Sequence, residues 1–466
     1  MKENETMIGL ECHVQLATKS KLFCNCPTDA TEPNTATCPV CLGHPGSKPV
    51  LNKKALDFAI KLCLALGCKI LPSIFFSRKT YFYPDMSKNY QITQYEIPIG
   101  VNGSITLDSG KKVNITRVHL EEDPARLVHE AGIYISEYTL VDYNRSGIPL
   151  CEIVTAPELS SPEEAREFLK KLITLLNYLK IFDIDKCIIR TDCNTSIKGY
   201  ERVEIKNINS FKDVEKALGY EIERQKELIK NKLKVERETR AWDEATGTTI
   251  TLRKKETEED YGYLYDPDLT KIELSKEWVE KIKKELPEFA HEKVERFVRQ
   301  YKIDKEDAKI IAADPLIVEL FEKVANKIAP ELAAHWIRRE LLRVLNYNKK
   351  EIYETKITAQ HLIELLFLIE NKTITERTGQ KIIEKLVEGP FDVKAYIENE
   401  GLVAVSNINE LTKYCKDAMG ENKKAVQDYK SGNEKALMFV VGAVMKKTKG
   451  KATPKEVNQI LRKLIK

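Results

Sequence analysis

Four cysteines near the amino terminus are spaced like the ligands of a metal ion. They follow the pattern C-x-C-x11-C-x2-C, and the prolines between them make the chain turn, so one short segment can wrap around an ion. Four thiolates suit tetrahedral Zn²⁺ and leave no open coordination position, which predicts a structural role. The alternative is a group of ordinary buried thiols in a chain that has eleven cysteines. The predicted zinc ligands are Cys24, Cys26, Cys38 and Cys41.

Carboxylates and one imidazole form a second candidate site, spread over the first half of the chain. Glu11 and His13 can share one site, because residues two apart in a strand face the same side. Glu121 and Glu122 are adjacent in HLEEDPAR, and Glu152 lies in the strand-like run PLCEIV, where a lone carboxylate is costly to bury. Such ligands suit Mg²⁺ serving ATP. Spacing alone also fits separate glutamates that are solvated or ion-paired.

A third candidate is the run SRKTYFYPDMSKNYQITQ, which interleaves cations with aromatic rings. Cations can neutralise phosphates while rings stack on a base or ribose, although an ordinary turn from core to surface has the same composition. The sequence contains no G-x-x-x-x-G-K-[ST] loop and no G-x-G-x-x-G or G-x-S-x-G motif, so an ATP site must have another architecture. The residues predicted to contact ATP are Arg78, Lys79, Tyr81, Tyr83 and Lys88.

The elements that must position these residues divide the chain into two parts. Over residues 8–270, short β-like runs alternate with amphipathic helices, which predicts an α+β fold. Helices are expected over 51–66, 162–179 and 211–238, the last mostly solvent exposed because it is heavily charged. From about residue 274 the β-like runs end, and the pattern predicts an all-α region that finishes in a small helical tail.

Composition limits the class of protein. A length of 466 residues with 42% hydrophobic and 31% charged residues predicts several globular domains. The predicted boundaries are a large domain at 1–290 that contains the zinc segment 24–41, a helical domain at 291–405 and a tail at 406–466. A net charge of +4 means that any basic surface is local. The sequence lacks a signal-peptide pattern and any apolar stretch of about 18 residues, which predicts a cytoplasmic protein without disulfides or a membrane segment.

Long, ordered motifs resemble the GatB/GatE family. They are IGLECHVQLATKSKLFC, CPVCLGHPG, RKTYFYPDMSKNYQITQYEIPIG, HLEEDPAR, VDYNRSGIPLCEIV and ERVEIKNINSF. The similarity continues through ETRAWDEATGTTITLRKKETEEDYGYLYDPDL, and the last 60 residues resemble the YqeY-like tail of that family. The resemblance therefore extends over essentially the whole chain.

The resemblance implies a particular architecture and metal content. The expected fold is a cradle-shaped kinase domain related to glutamine synthetase and guanido kinases, followed by a helical domain and the YqeY-like tail. Zinc, which some members of the family carry, is expected to support the cradle. The residues implied to surround Mg²⁺ in the cradle are Glu11, His13, Glu121, Glu122 and Glu152.

The resemblance favours the B type of the family over the E type. The E type has a large extra domain between cradle and helical region, whereas here the cradle motifs end near Leu269 and the helical region follows directly. Three places depart from the family's frequent residues, namely Cys12, residues 124–126 and Gly262, where an arginine is frequent. These departures leave the acidic residues unchanged, but they affect the expected contacts of ATP near Arg126 and Gly262.

The implied activity is that of an ATP-dependent carbon-nitrogen ligase that takes its amide nitrogen from glutamine (EC 6.3.5.-). Partners would be an amidase (glutaminase) subunit, which supplies ammonia through a channel, a small third subunit, and mischarged Glu-tRNA(Gln) or Asp-tRNA(Asn). Two alternatives stay open: a non-catalytic, zinc-stabilised tRNA-binding scaffold of the same complex, and a free-standing ligase that uses ammonia directly. The residues expected to take part in catalysis are Glu11, His13, Glu122, Glu152, Lys79 and Lys206.

The helical domain and the tail are implied to grip the tRNA body. Basic residues fit this role, in the tail segment KKTKGKATPK and at Arg338, Arg339 and Arg343. Phosphate contacts of this kind weaken as the salt concentration rises. A basic helix that merely faces solvent has the same composition, so the tRNA contact is implied mainly by the resemblance.

Overall fold

The computed structural model describes residues 5–129, 136–183, 187, 189–208, 210–254, 261–403, 408–448 and 451–465. Two compact units divide the chain, Met1–Pro287 and Glu288–Lys466. The boundary predicted between the helical domain and the tail, at 405/406, lies outside the described residues. The first unit mixes strands and helices around one large sheet, and the second is helical.

The first unit is built on a sheet in which the amino-terminal strand is central. Its strands, with those of three small sheets, are β1 (Thr6–Gln15), β2 (Lys69–Ile70), β3 (Ser73–Ile74), β4 (Ser77–Thr80), β5 (Tyr90–Thr93), β6 (Gly100–Thr106), β7 (Lys112–Glu122), β8 (Arg126–Val128), β9 (Leu140–Asp142), β10 (Pro149–Thr155), β11 (Ile189–Ile197), β12 (Val203–Lys206), β13 (Glu238–Asp243), β14 (Thr248–Lys254), β15 (Leu264–Tyr265) and β16 (Ile272–Glu273). Within the described residues, the large sheet has nine strands in the order β14-β13-β12-β11-β1-β10-β7-β6-β2. Adjacent strands of this sheet are antiparallel, except for the pair β12 and β13, which is parallel.

Helices cover one face of this sheet. They are α1 (Lys53–Ala65), α2 (Pro162–Leu179) and α3 (Phe211–Lys230), and α4 (Lys276–Lys283) packs on α1. Asn52, Ser161 and Ser210 cap the three long helices by accepting hydrogen bonds from backbone N–H groups of the first turn. On β1, alternate residues such as Leu10 and Cys12 are buried on the helical side. The intervening residues of β1 therefore face the opposite, open side of the sheet.

Two of the three expected helices agree closely with the structure, and the third was wrong at its end. Helix α2 has the predicted bounds, and α1 agrees within two residues. Helix α3 ends at Lys230 instead of residue 238, because Asn231 closes it, Lys232 has a left-handed φ of 58°, and the chain then enters β13. The helix is also less exposed than its charge predicted. Its Glu221 is fully buried and receives hydrogen bonds from Arg224 and Thr249.

The second unit contains helices throughout its described residues, as the sequence predicted. They are α5 (Ala290–Tyr301), α6 (Lys305–Ala312), α7 (Pro315–Ala325), α8 (Pro330–Trp336), a π-helical segment (Ile337–Leu341), α9 (Leu342–Tyr347), a 3-10 turn (Ile352–Glu354), α10 (Ala359–Glu370), α11 (Glu376–Glu388), α12 (Val393–Asn399), α13 (Ile408–Glu421), α14 (Lys423–Lys430), α15 (Glu434–Lys447) and α16 (Pro454–Ile465). Helices α13 to α16 enclose an apolar cluster of their own, which includes Leu411, Val440 and Leu461. In the described parts of both units, no helix is long and apolar enough to span a bilayer.

Close packing at Gly379 makes this residue sensitive to substitution. A Cβ atom there would lie 2.7 Å from Trp336 Cη2 and 2.7 Å from Ile369 Cδ1. We expect Gly379→Ala to lower the free energy of unfolding by about 1–3 kcal/mol, because the buried indole must shift. Urea unfolding followed by helical circular dichroism measures this change. The matched control is Gly442→Ala in α15, where no atom of the described part of the chain contacts the new Cβ within 4 Å, and this variant should be more stable by roughly 0.5–1 kcal/mol. Equal effects of both variants would contradict the packing argument.

Candidate active site and metal centre

The open face of the sheet brings polar residues from distant parts of the chain side by side. His13 on β1 is opposite Glu152 on β10, and Glu152 is in turn opposite His119 on β7. On the other side of β1, Glu11 is opposite Asp192 of β11. Directly opposed residues of antiparallel strands project to the same face. The charged side chains therefore form a continuous band across the middle of the sheet, opposite the helices.

Three of the predicted magnesium ligands meet in this band. His13 Nε2 lies 3.5 Å from Glu121 Oε1 and 3.6 Å from Glu152 Oε2. One ligand atom from each of the three residues lies within 4.8 Å of the other two, so the group can hold a metal ion. Both carboxylates are buried, with 6% of Glu121 and 8% of Glu152 exposed, so their charges need a cationic partner.

A second histidine, His119, completes this cluster, although it was not among the ligands predicted from the sequence. Its Nε2 lies 3.2 Å from Glu152 Oε2 and 3.9 Å from Glu121 Oε2, and it is 3% exposed. The same two-residue spacing that grouped Glu11 with His13 relates His119 to Glu121 on β7, so the alternation in RVHLEE was an available indication. Among the described residues, His119 Nδ1 has no hydrogen-bond partner.

The protonation of the cluster reflects competition between burial and charge. Burial and the neighbouring Glu152 carboxylate raise the pKa of Glu121. Burial acts in the same direction on Glu152, but His119 and His13 outweigh it and hold the pKa of that carboxyl below its usual range. The pKa of His13 is raised: burial opposes this, and the Glu152 and Glu121 charges prevail. A divalent cation would relieve the repulsion between the two carboxylates, so the donors fit such an ion.

Glu11 and Lys206 lie on the same open face, in a neighbouring ion-pair group. Glu11 Oε1 accepts a hydrogen bond from Asn194 Nδ2 at 2.9 Å. The ammonium of Lys206 lies 2.7 Å from Asp192 Oδ2 and 3.6 Å from Glu204 Oε1. Burial lowers the pKa of Lys206, but the two carboxylates outweigh it and the pKa is raised. Within the described residues, Glu11 is thus placed beside the cluster of His13 and not inside it.

Glu122 is separated from the cluster by the alternation of β7. It follows Glu121, so its side chain projects to the other face, where it forms an ion pair with Lys88 and accepts a hydrogen bond from Ile92 N at 2.9 Å. The predicted magnesium ligand Glu122 and the predicted ATP contact Lys88 are therefore partners of each other.

The basic and aromatic run borders the acidic cluster. Lys79 Nζ lies 4.6 Å from the centre of the Tyr261 ring, and its charge opposes the rise in the pKa of Glu121, whose main cause is burial. Tyr81 stacks on Tyr83 with ring centres 5.8 Å apart. Tyr263 is close enough to the cluster that burial, together with the charges of Glu121 and Glu152, raises its pKa. This places aromatic surface directly beside the carboxylates.

Gly262 permits the chain to bend between Tyr261 and Tyr263, next to the cluster. Its φ is 48°, in the left-handed region, and among the described residues a Cβ there would meet only Thr80 Oγ1, at 4.0 Å. The neighbouring Tyr263 stacks on Tyr95 with ring centres 4.0 Å apart and an interplanar angle of 13°. Glycine adopts this φ without the strain that a side chain introduces. The arginine frequent in the family would need to accept that strain.

Arg78, predicted to contact ATP, is held by intramolecular contacts. Its guanidinium lies 2.9 Å from Asp266 Oδ2 and 3.2 Å from Asp268 Oδ2, and it covers the Tyr90 ring at 4.5 Å. Asp266 is fully buried. We expect Arg78→Met to lower the free energy of unfolding by about 3 kcal/mol, because it leaves a buried carboxylate unpaired. Denaturant titration of the full chain measures this loss.

Lys48 provides the control for this prediction. It also pairs with Asp268, at 3.6 Å, but its side chain is 77% exposed, so Lys48→Met should change stability by less than about 0.5 kcal/mol. If Arg78→Met left stability unchanged and weakened only nucleotide binding, Arg78 would be a nucleotide contact as the sequence predicted.

The four predicted zinc ligands converge at a second centre. Their sulfur atoms all lie within 4.8 Å of one another, and the backbone N–H of Cys38 donates to Cys41 Sγ at 3.2 Å. A hydrogen bond from the Cys24 thiol lowers the pKa of Cys41 to about 4, whereas burial raises that of Cys26 to about 11. Four sulfur donors at this separation can hold a metal ion, and the donor set is compatible with structural zinc.

The arginines proposed to face tRNA are partly engaged within the second unit. Arg338 pairs with Asp307, and Arg343 Nη2 lies 3.0 Å from Glu340 Oε2. Arg339 is exposed. Residues 449–450 of the basic tail segment lie outside the described residues.

Comparison with known proteins agrees with the motifs. Residues 6–280 match the family model described as the GatB/GatE catalytic domain, and residues 319–465 match the model described as the GatB domain. A relative from Thermotoga petrophila, named as the B subunit of aspartyl/glutamyl-tRNA(Asn/Gln) amidotransferase, is 47% identical and aligned over 98% of each chain. Proteins of the same name from Carboxydothermus hydrogenoformans and Brevibacillus brevis are each 42% identical, over 99% and 100% of this chain and 99% of their own lengths. The chain therefore belongs to the GatB/GatE family.

Proposed function

We propose that this chain is the B subunit of a tRNA-dependent amidotransferase and that it activates the side-chain carboxylate of Glu-tRNA(Gln), Asp-tRNA(Asn) or both. The observation that carries the proposal is the cluster of His13, Glu121 and Glu152 on the open face of the sheet, with aromatic surface beside it. The names of the full-length relatives support the reaction class. The cluster supports a site for a divalent cation and phosphate groups.

The chemistry follows from the poor reactivity of a carboxylate. An oxygen of the substrate carboxylate attacks the γ-phosphorus of ATP, the bond from that phosphorus to the β,γ-bridging oxygen breaks, and ADP leaves. Ammonia then attacks the carbonyl carbon of the acyl phosphate, loses a proton and expels inorganic phosphate, which leaves an amide. Mg²⁺, when bound, neutralises charge on the transferring phosphoryl group.

The residues of this chain would contribute in different ways. His13, Glu121 and Glu152 would hold the magnesium ion, and His119 would orient Glu152 from the side. Lys79, beside the carboxylates, would approach a phosphate. Glu11 and Lys206 would shape the adjoining part of the face through their contacts with Asn194 and Asp192.

We further propose that the chain works with an amidase (glutaminase) partner and a small third subunit. Ammonia is an effective nucleophile only when it is unprotonated, so its delivery from a glutaminase partner away from bulk water suits this reaction. The absence of an amidase motif from the sequence supports such a division of labour. Structural zinc at the cysteine quartet and tRNA contacts of the helical unit complete the proposal.

Trapping of the activated carboxylate tests the proposed function. The purified complex of this chain with the amidase and the small third subunit is incubated with ATP, Mg²⁺ and hydroxylamine, which converts acyl phosphates into hydroxamates. We expect ADP and the side-chain hydroxamate of glutamate or aspartate to form with Glu-tRNA(Gln) or Asp-tRNA(Asn), but not with uncharged tRNA and not when ATP is omitted. The ATP-free reaction also corrects for the α-hydroxamate that hydroxylamine releases from the aminoacyl ester without any activation. If the two partners form them equally well without this chain, the chain is a scaffold. If the isolated chain makes amide at the full rate from ammonium chloride, it is a free-standing ligase.

A further inference from the structure

A lysine is buried beside the cysteine quartet, where its positive charge is removed from water and needs an anionic partner. The side chain of Lys21 is fully buried. Its ammonium donates to the carbonyl oxygens of Ala36, at 2.8 Å, and Tyr143, at 3.1 Å, and to Cys41 Sγ at 3.5 Å. Among the described residues, the polar contacts of this ammonium include no carboxylate oxygen, although a buried cation is costly unless it is paired. The sulfur is therefore the only candidate for an anionic partner among these contacts.

The cysteine quartet can supply the missing negative charge. Zinc binds cysteine as the thiolate, so four thiolates around one Zn²⁺ leave an excess of negative charge on the sulfur atoms. That charge is itself partly buried, because Cys41 is 3% exposed. An ammonium at 3.5 Å from one sulfur offsets it without occupying a coordination position. We propose that Lys21 is the counter-cation of a zinc-cysteine centre, a positioning residue that strengthens zinc binding through its charge.

The same lysine ties the zinc segment to the strand that carries Glu152. Tyr143, which accepts from Lys21, begins the turn that leads into β10. Ser146 in this turn donates to the carbonyl of Cys41 at 3.0 Å, and Leu22 N donates to the carbonyl of Gly147 at 2.8 Å. The cysteine segment, Lys21 and the turn before β10 are thus joined by one contiguous set of contacts. The inference rests on the proposed zinc site and extends it to the support of the neighbouring strand.

Zinc affinity of the full chain gives the direct test. The dissociation constant is measured by competition with a chromophoric chelator for the wild type, Lys21→Met and the control Lys19→Met, whose lysine is exposed. We expect Lys21→Met to weaken zinc binding by at least about tenfold, the usual size of an outer-shell contribution. Lys19→Met should bind as the wild type does. Unchanged affinity in Lys21→Met would overturn the inference.

A double-mutant cycle separates charge from packing. Cys26→His, at a partly exposed ligand, replaces one thiolate by a neutral imidazole and so makes the centre less negative. If Lys21 acts through its charge, Lys21→Met should weaken zinc binding at least about tenfold in the chain with four cysteines. In the chain that also carries Cys26→His, the same substitution should weaken zinc binding distinctly less. Equal losses in both backgrounds would mean that Lys21 only fills space, which overturns the inference.

Further variants keep the result interpretable. Lys21→Gln keeps a hydrogen-bond donor for the two carbonyl oxygens but lacks the charge, so it should lose zinc affinity as Lys21→Met does. It replaces Lys21→Met in the test if the methionine variant folds poorly. Cobalt absorption in the thiolate charge-transfer region reports the ligand set without any assay of activity. A wild-type chain that binds neither zinc nor cobalt would refute the zinc site itself, whereas metal binding that is insensitive to Lys21 would refute only the role of the lysine.

Discussion

Replacing Glu152 by glutamine is expected to abolish ATP cleavage by the assembled complex and to leave tRNA binding intact. The carboxylate lies 3.6 Å from His13 Nε2 and 3.2 Å from His119 Nε2. An amide of the same shape has no negative charge, so it binds a divalent cation poorly, and each imidazole keeps only Glu121 as a carboxylate neighbour. We expect ADP formation in the presence of Glu-tRNA to fall by a factor of about 10² to 10³ or more.

The measurement pairs two readouts with a matched control. ADP release is followed with Glu-tRNA and Mg²⁺, and tRNA affinity is measured by filter binding on the same preparation. Glu280→Gln, an equivalent change at an exposed position of α4, should behave as the wild type does. Full ATP cleavage by Glu152→Gln would show that the cluster is not the magnesium site, and the scaffold function would then become the better proposal.

Removal of one cysteine of the quartet should have the second large effect. Cys38→Ala is expected to reduce bound zinc from about one equivalent per chain to almost none after dialysis against a chelator, because water replaces the fourth thiolate and three thiolates bind zinc more weakly than four. Binding of structural zinc contributes on the order of 10 kcal/mol in small domains, so a loss of more than about 3 kcal/mol in the free energy of unfolding is expected here. Metal analysis and denaturant unfolding of the full chain measure the two quantities.

Cys187→Ala is the control for the loss of a thiol. Cys187 is also partly exposed but lies outside the quartet, so zinc content should be unchanged. Retention of zinc by Cys38→Ala would exclude the quartet as the metal site. Loss of zinc with no change in unfolding would mean that the metal does not stabilise the fold.

Features that depend on near neighbours in the chain were predictable from the sequence. Helix α2 has the expected bounds because Ser161, the following proline and the amphipathic repeat all act within a few residues. The cysteine quartet converges because its ligands lie on one short, turning segment. Glu11 and His13 share a face because the strand repeat is two residues. In each case the local backbone geometry carries enough information.

Features that depend on strand pairing were not predictable in the same way. The sheet order β11-β1-β10-β7 joins segments far apart in the chain, and this order places His119 beside Glu152 and Asp192 beside Lys206. The separation of Glu122 from Glu121 is different in kind, since it follows from the local alternation of β7, in which only one of two adjacent residues can face the cluster. No local pattern encodes which strands pair or in which register, because pairing depends on the joint burial of distant apolar faces. Residues of the candidate metal sites could therefore be selected from the sequence, while the grouping of the histidines with the glutamates, and the burial of Lys21 beside the sulfurs, arose from long-range packing.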